Sequence, residues 1–258
     1  MSHAPSTQVE TLLACQGLTR RFGGLAAVNG VSLDFHRGEV HAVIGTNGAG
    51  KSTLINLLSG ELPPSEGRIT LMGRDITHLP QPQRARAGLG RSYQRTTIFP
   101  SFTVFENCRL SAQGAQAALA RPWAFWESAA RCEDTGDIAR QALADAGLSA
   151  LADRAAGTLS HGGQRQLEIA MCLATGPQVL LLDEPLAGMG SEETSRMLDL
   201  LARLRDQHAV LLVEHDMDAV FRIADRITVM VNGEVIASGT PEHIRQDPQV
   251  QSAYLGGH

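Results

Sequence analysis

The chain reads as an α/β fold with a mostly parallel sheet, an antiparallel β region at the N-terminus and an inserted α-helical subdomain. Three observations carry this reading. Val179-Leu180-Leu181-Leu182 and Ala209 to Val213 are short, continuous apolar runs, suited to strands buried on both faces of a parallel sheet. Up to Leu71, β-type segments punctuated by Gly and Pro dominate. From about Phe102 to Leu159 alanine becomes abundant and strand runs vanish, which marks a helical insertion.

In chain order, the segments Leu12 to Leu18, Val31 to Phe35 and Glu39 to Ile44 read as strands. The turn Pro63-Pro64-Ser65-Glu66-Gly67 precedes another at Arg68 to Leu71. Within the insertion, Ile138 to Ala146 has helical spacing. Glu192 to Gln207 reads as an amphipathic helix with Met197, Leu200, Leu201 and Leu204 on one face. Asn232-Gly233, between the alternating residues of Ile227 to Ser238, predicts a tight hairpin. No internal repeat is visible, and the first residues read as disordered.

Composition narrows the class. The 258 residues are 43% hydrophobic and 19% charged, a globular balance with material for a sizeable core. A net charge of -5 supplies no basic field for nucleic acid, so none is expected as a partner. No apolar stretch approaches the roughly 18–20 residues that cross a bilayer, and the first residues lack the pattern of a signal peptide. Cys15, Cys108, Cys132 and Cys172 are scattered without a C-x-x-C pair, which favours buried thiols in a reducing cytosol.

The chemistry begins at "GTNGAGKST", Gly45 to Thr53, between an expected strand and an expected helix. The spacing G-x-x-x-x-G-K-S is that of the phosphate-binding loop, and it makes the core a P-loop NTPase. Gly45, Gly48 and Gly50 let the backbone fold into a nest of N–H groups, and the following helix aims its positive end at the same anion. Lys51 would reach the β- and γ-phosphates while the Ser52 hydroxyl ligates Mg²⁺. Nucleotide contacts are assigned to Gly45, Asn47, Gly48, Ala49, Gly50, Lys51, Ser52 and Thr53.

Asp183 and Glu184 close the run Val179 to Leu182. In a chain with a phosphate loop this pair divides two tasks: Asp183 for the Mg²⁺ shell and Glu184 for polarising the attacking water. Between loop and pair lies "LSHGGQRQLEIA", Leu159 to Ala170. Its Ser160 and Gly162 either cap the helix that follows or offer an anion site at its start. Read alone, Phe22 is a core or edge residue and His215 a strand-end histidine.

Taken together these motifs resemble an ATP-binding cassette (ABC) ATPase over nearly the whole chain. Five matches fall in family order: Gly45–Ser52, Gln94, Leu159–Gly163, Asp183–Glu184 and His215. The resemblance implies that Ser160 and Gly162 bind the γ-phosphate held by a second copy, so that two ATPs are sandwiched in a head-to-tail dimer. It implies that Gln94 senses Mg²⁺ and the attacking water, that His215 contacts the γ-phosphate, and that Phe22 stacks on adenine. It makes residues 10–258 one cassette: 10–95 and 160–258 the RecA-like core with its β subdomain, 96–159 the helical subdomain, and 1–9 a disordered N-terminus. His161, Gly163 and Gly190 depart from the common pattern, which has Gly, Gln and Asp at those positions.

"DEPLAGMG", "VEHDM" and "AYLGG" further resemble the branch that energises branched-chain amino acid importers, with urea and short-chain amide importers as the alternative. The implied partners are a second ATPase subunit, two integral membrane permeases and, indirectly, a secreted solute-binding protein. The implied place is peripheral, at the cytoplasmic face of the inner or plasma membrane. Competing classes fit less well. A switch GTPase would need an N-K-x-D strand end, absent here. A small-molecule kinase has no use for the Ser160 turn. Non-transport cassette proteins usually carry two cassettes, a coiled-coil arm or a basic face. Within "TTIFPSFTVFEN", Ile98, Phe99, Phe102, Val104 and Phe105 supply a permease-facing surface, with at least two of them expected to pack inward.

Overall fold

A computed structural model describes residues 10–93, 97–117 and 128–255. Two sheets organise them. The first is antiparallel, in the order β2-β1-β4-β5, formed by β1 (Thr11–Phe22), β2 (Leu25–His36), β4 (Glu66–Leu71) and β5 (Arg74–Asp75). The second runs β10-β9-β3-β8-β7-β6, from β3 (Glu39–Gly45), β6 (Leu89–Arg91), β7 (Val179–Asp183), β8 (Ala209–Val213), β9 (Arg226–Val231) and β10 (Glu234–Gly239). All its pairings are parallel except β9 with β10, the hairpin whose Asn232 and Gly233 have φ of 50° and 83°. Positive φ at both turn residues matches the twist of the flanking strands.

The buried strands show why the apolar runs are continuous. Val43, Leu181, Leu211 and Val213 face one core, shared with the antiparallel sheet and with Leu54, Ile55, Leu57 and Leu58 of helix α1 (Lys51–Ser59). Their neighbours Ala42, Leu180, Leu182 and Leu212 face the other. There they meet Met197 and Leu201 of helix α6 (Ser191–Arg205) and Val220 of helix α7 (Met217–Ile223). Each fully buried aliphatic side chain contributes about 1.5–3 kcal/mol, and alternation of period two feeds both cores from the same strands.

Helix α2 (Gln81–Arg86) lies between β5 and β6. Its Arg84 is fully buried and donates to the carbonyls of Leu57, Leu58, Thr77 and Leu79, closing the C-terminal end of α1 with a positive charge. Burial pushes this guanidinium down to about 10. Helices α3 (Val104–Ala117) and α4 (Ser128–Asp145) pack with α5 (His161–Leu173) around a third cluster that includes Val104, Cys108, Leu143 and Leu167. Ile98 and Phe105 pack against it, so three of the five apolar residues in the 97–107 stretch turn inward. Cys15, Cys108 and Cys172 are buried free thiols, each pushed up to about 12 by desolvation.

Candidate active site

The site is assembled at the C-terminal edge of the parallel sheet, where α/β folds gather their ligands. Val43 of β3 and Asp183 of β7 both register with Val213 of the strand between them. The phosphate loop and the acidic pair therefore leave the sheet side by side, two strand spacings or about 10 Å apart.

The loop's glycines answer to different constraints. A Cβ on Gly45 would lie 2.3 Å from the Met230 carbonyl oxygen, and one on Gly50 2.3 Å from that of Ala27. These two are required by close backbone approach. Gly48 has open space around it and a φ of 80°, so there the left-handed conformation is the requirement. Gly50, at φ 101°, is the N-cap of α1 and supplies no capping side chain, so the first N–H groups of the helix face the loop uncapped. Ser52 is exposed at the same helix start.

Lys51 is largely buried, and its ammonium donates to the carbonyls of Gly45 at 2.6 Å and Thr46 at 3.1 Å. Burial lowers its pKa, opposed by the nearby carboxylates of Glu184 and Asp183. Asp183 is buried, and burial raises its pKa, against the pull of the Arg91 guanidinium 3.9 Å from Oδ2. Its Oδ1 is buried without a hydrogen-bond donor. A buried carboxylate oxygen with no donor, within electrostatic reach of Lys51, has the chemistry of a cation ligand.

Glu184 follows with φ 48°, a left-handed backbone uncommon for a residue with a side chain. His215, on the exit from β8, puts Nδ1 3.9 Å from Glu184 Oε1. Phe22 ends β1 and pairs with Leu25 in a hairpin, five positions before the Ala27 carbonyl that packs on Gly50. Its ring is half-exposed and carries the Arg20 guanidinium 4.7 Å from its centroid, so it is neither core nor buried edge. Gln94 lies outside the described residues. The residues flanking its segment are tied to α5: Arg165 donates to the Tyr93 carbonyl at 2.7 Å, and Thr97 N–H donates to Glu168 at 2.8 Å.

Ser160 does cap α5, accepting from Gly163 N–H, and its hydroxyl also donates to Glu193 Oε1 at 2.6 Å. Gly162 leaves room for that carboxylate: a Cβ there would be 2.7 Å from Glu193 Cδ. The His161 ring lies over Gly188, in the segment that follows the acidic pair. Gly190 is the N-cap of α6 and contributes no capping side chain, where an Asp would.

Three residues that touch this site were not singled out from sequence: Arg91, Glu193 and Glu214. Arg91 bonds Asn56 and Ser59 of α1 as well as Glu61, and so braces α1 against Asp183. A basic residue ending an otherwise apolar strand was the available signal.

A family model described as "ABC transporter" matches residues 28–187, and one described as "Branched-chain amino acid ATP-binding cassette transporter" matches residues 234–258. The high-affinity branched-chain amino acid transport ATP-binding protein LivG of Salmonella typhimurium is 43% identical, over 96% of this chain and 98% of its own length. BraF of Pseudomonas aeruginosa, of the same description, is 44% identical over 95% of this chain and 98% of its own. A nucleotide-free ATP-binding cassette from an ABC transporter superposes with a TM-score of 0.82 at 30% identity, covering 95% of this chain and 98% of that one. The ADP conformation of an ATP-binding cassette of an ABC transporter gives 0.82 at 31%, covering 95% and 99%.

Proposed function

Since the chain belongs to the ABC transporter family of ATP-binding subunits, we propose that it hydrolyses ATP to drive an importer of branched-chain amino acids. The observation that carries the catalytic part is the convergence of Lys51, Asp183, Glu184 and His215 on the edge formed by β3, β8 and β7. The solute follows from the near full-length likeness to LivG and BraF, together with the match of residues 234–258.

In this reading the N–H groups from Asn47 to Thr53 hold the phosphates of ATP, and Lys51 exchanges its bonds to Gly45 and Thr46 for the β- and γ-phosphate oxygens. Phe22 stacks on the adenine. Asp183, Ser52 and Gln94 would hold Mg²⁺, which neutralises phosphate charge when bound. The donorless Oδ1 of Asp183 fits that task. Glu184 takes the proton of the attacking water, and His215 steadies the γ-phosphate. Ser160 and Gly162 serve the nucleotide held by a second copy.

No helix among the described residues is long and apolar enough to cross a membrane. Two permease subunits supply the pathway, a secreted binding protein delivers the solute, and this chain docks at the cytoplasmic face. The domain division follows the same reading, with 10–95 and 160–258 as the core and 96–159 as the helical subdomain.

The test is transport by vesicles reconstituted with this chain and a pair of permease subunits. Leucine, isoleucine or valine uptake that depends on ATP and on Lys51 supports the solute assignment. Uptake of urea or acetamide, with none of leucine, overturns it.

A further inference from the structure

The motif Val213-Glu214-His215-Asp216-Met217 contains a carboxylate with no assigned task. Glu214 leaves the end of β8 with its side chain fully buried. Its Oε1 accepts the N–H of Leu186 at 2.8 Å, and its Oε2 accepts the N–H of His215 at 3.1 Å. Oε2 also lies 3.7 Å from His215 Nδ1. Burial raises its pKa, against the two N–H donors and the nearby histidine that favour the charged form. A carboxylate buried this completely needs its acceptors filled, and here they are filled from two separate loops.

Those two loops carry the two groups assigned to the γ-phosphate end of the site. Glu184 sits in the left-handed region at φ 48°, a conformation that persists only where surrounding bonds hold it. Its own N–H donates to the Val213 carbonyl at 2.9 Å. Two residues later Leu186 N–H is held by the next residue of the same strand exit, Glu214. The turn bearing Glu184 is thus pinned at both ends to residues 213 and 214. The other oxygen of Glu214 fixes the backbone of His215, whose imidazole faces Glu184 and Glu214 at 3.9 and 3.7 Å.

We propose that Glu214 is a positioning residue that sets Glu184 and His215 relative to each other by holding the backbones of both loops with one buried carboxylate. The inference rests on the roles given above to Glu184 and His215. Glu214 touches neither water nor phosphate in this account; it acts through the geometry of its neighbours. A side-chain amide in its place keeps one acceptor but turns an NH₂ group toward the other N–H, so one of the two loops is released.

The experiment compares steady-state ATP hydrolysis by the full chain carrying Glu214→Gln, Glu184→Gln, or both. A misplacement near 1 Å of a reacting group costs on the order of 10²-fold. Glu214→Gln should therefore lower kcat about 10- to 100-fold, with KM for ATP changed less than about threefold. In the Glu184→Gln background its further cost should be smaller than in wild type, because the part transmitted through Glu184 is already lost. Leu212→Ala, a fully buried neighbour on β8, serves as the stability control. If Glu214→Gln keeps kcat within twofold of wild type while Glu184→Gln is inactive, the positioning role is wrong and the site reading stands. If kcat and KM shift together, in proportion to a melting temperature lowered as in Leu212→Ala, Glu214 is merely structural and the proposal is overturned. If Glu184→Gln itself stays active, both the proposal and the reading beneath it fail.

Discussion

The hydroxyl of Ser160 donates to the carboxylate of Glu193 at 2.6 Å, so the residue that caps α5 commits its single proton within its own chain. The backbone amides of Gly162 and Gly190 also favour the charged form of Glu193. The Ser160 bond, then those two backbone donors, hold its carboxyl below the usual range. The hydroxyl assigned to a second copy's γ-phosphate is thus engaged by an anion of the same chain.

In the proposed ATP sandwich Ser160 has to release that carboxylate, and a negative charge beside the incoming phosphate opposes closure. Glu193→Gln, placed in a Glu184→Gln background to block turnover, should raise the ATP-dependent dimer fraction severalfold at equal protein concentration. Sedimentation velocity or light scattering after size-exclusion chromatography reads this directly. An unchanged or smaller dimer fraction would show that the Glu193 bond does not compete with assembly.

Phe99 and Phe102 stack with centroids 5.5 Å apart and stand 50% and 41% exposed, which makes them the open remainder of the 97–107 stretch. Asn107 clasps the Phe99 backbone from both sides, accepting its N–H and donating to its carbonyl. The ring is therefore dispensable to the fold. Phe99→Ala should melt within a degree or two of wild type and keep basal ATPase activity. Loss of a ring buried against a permease, worth roughly 1.5–3 kcal/mol, should weaken docking about tenfold or more and reduce transport in vesicles. Normal transport by the variant would move the docking surface elsewhere.

What could be read from residue order followed the range of the interactions involved. The phosphate loop, the acidic pair and the Asn232-Gly233 turn are local, and their spacing alone gave strand, turn and helix. β1 and β2 run beyond the expected Leu12–Leu18 and Val31–Phe35, because pairing with each other extends them to the hairpin tip at Phe22 and Leu25. β5 and β6, two and three residues long, are too short to show a period. Helix α2 has no apolar stripe; Arg84 anchors it through carbonyls of other segments. In the site, Glu193 and Glu214 find partners 33 and 28 positions away in the chain, which no local pattern announces.

His41 is buried on β3, with Nε2 2.8 Å from Thr228 Oγ1 and its ring against Phe35. Desolvation pushes its pKa down to about 3, from an ordinary value of 6.5. Between those values the unfolded chain binds a proton that the folded chain refuses, so stability falls as pH drops from 6.5 toward 3. The Glu39 carboxylate 3.5 Å away gives little relief, since burial disfavours its charged form too and raises its pKa. By pH 4.5 the His41 contribution to the loss should reach roughly 2–3 kcal/mol. Urea unfolding of wild type and His41→Gln at pH 7 and 4.5 measures it as the difference between their pH slopes. Equal slopes would mean that His41 accepts its proton without unfolding.

The carboxylate at position 184 is proposed to take the proton from the water that attacks ATP. Glu184→Gln keeps the size and shape of the side chain and removes only the base. The direct measurement is single-turnover hydrolysis of radiolabelled ATP by this variant, beside an equilibrium measurement of ATP binding. Nucleotide affinity within about threefold of wild type and a hydrolysis rate about 10²–10⁴-fold lower are the predicted results. A rate above one tenth of wild type, with binding intact, would contradict the account and place the base elsewhere.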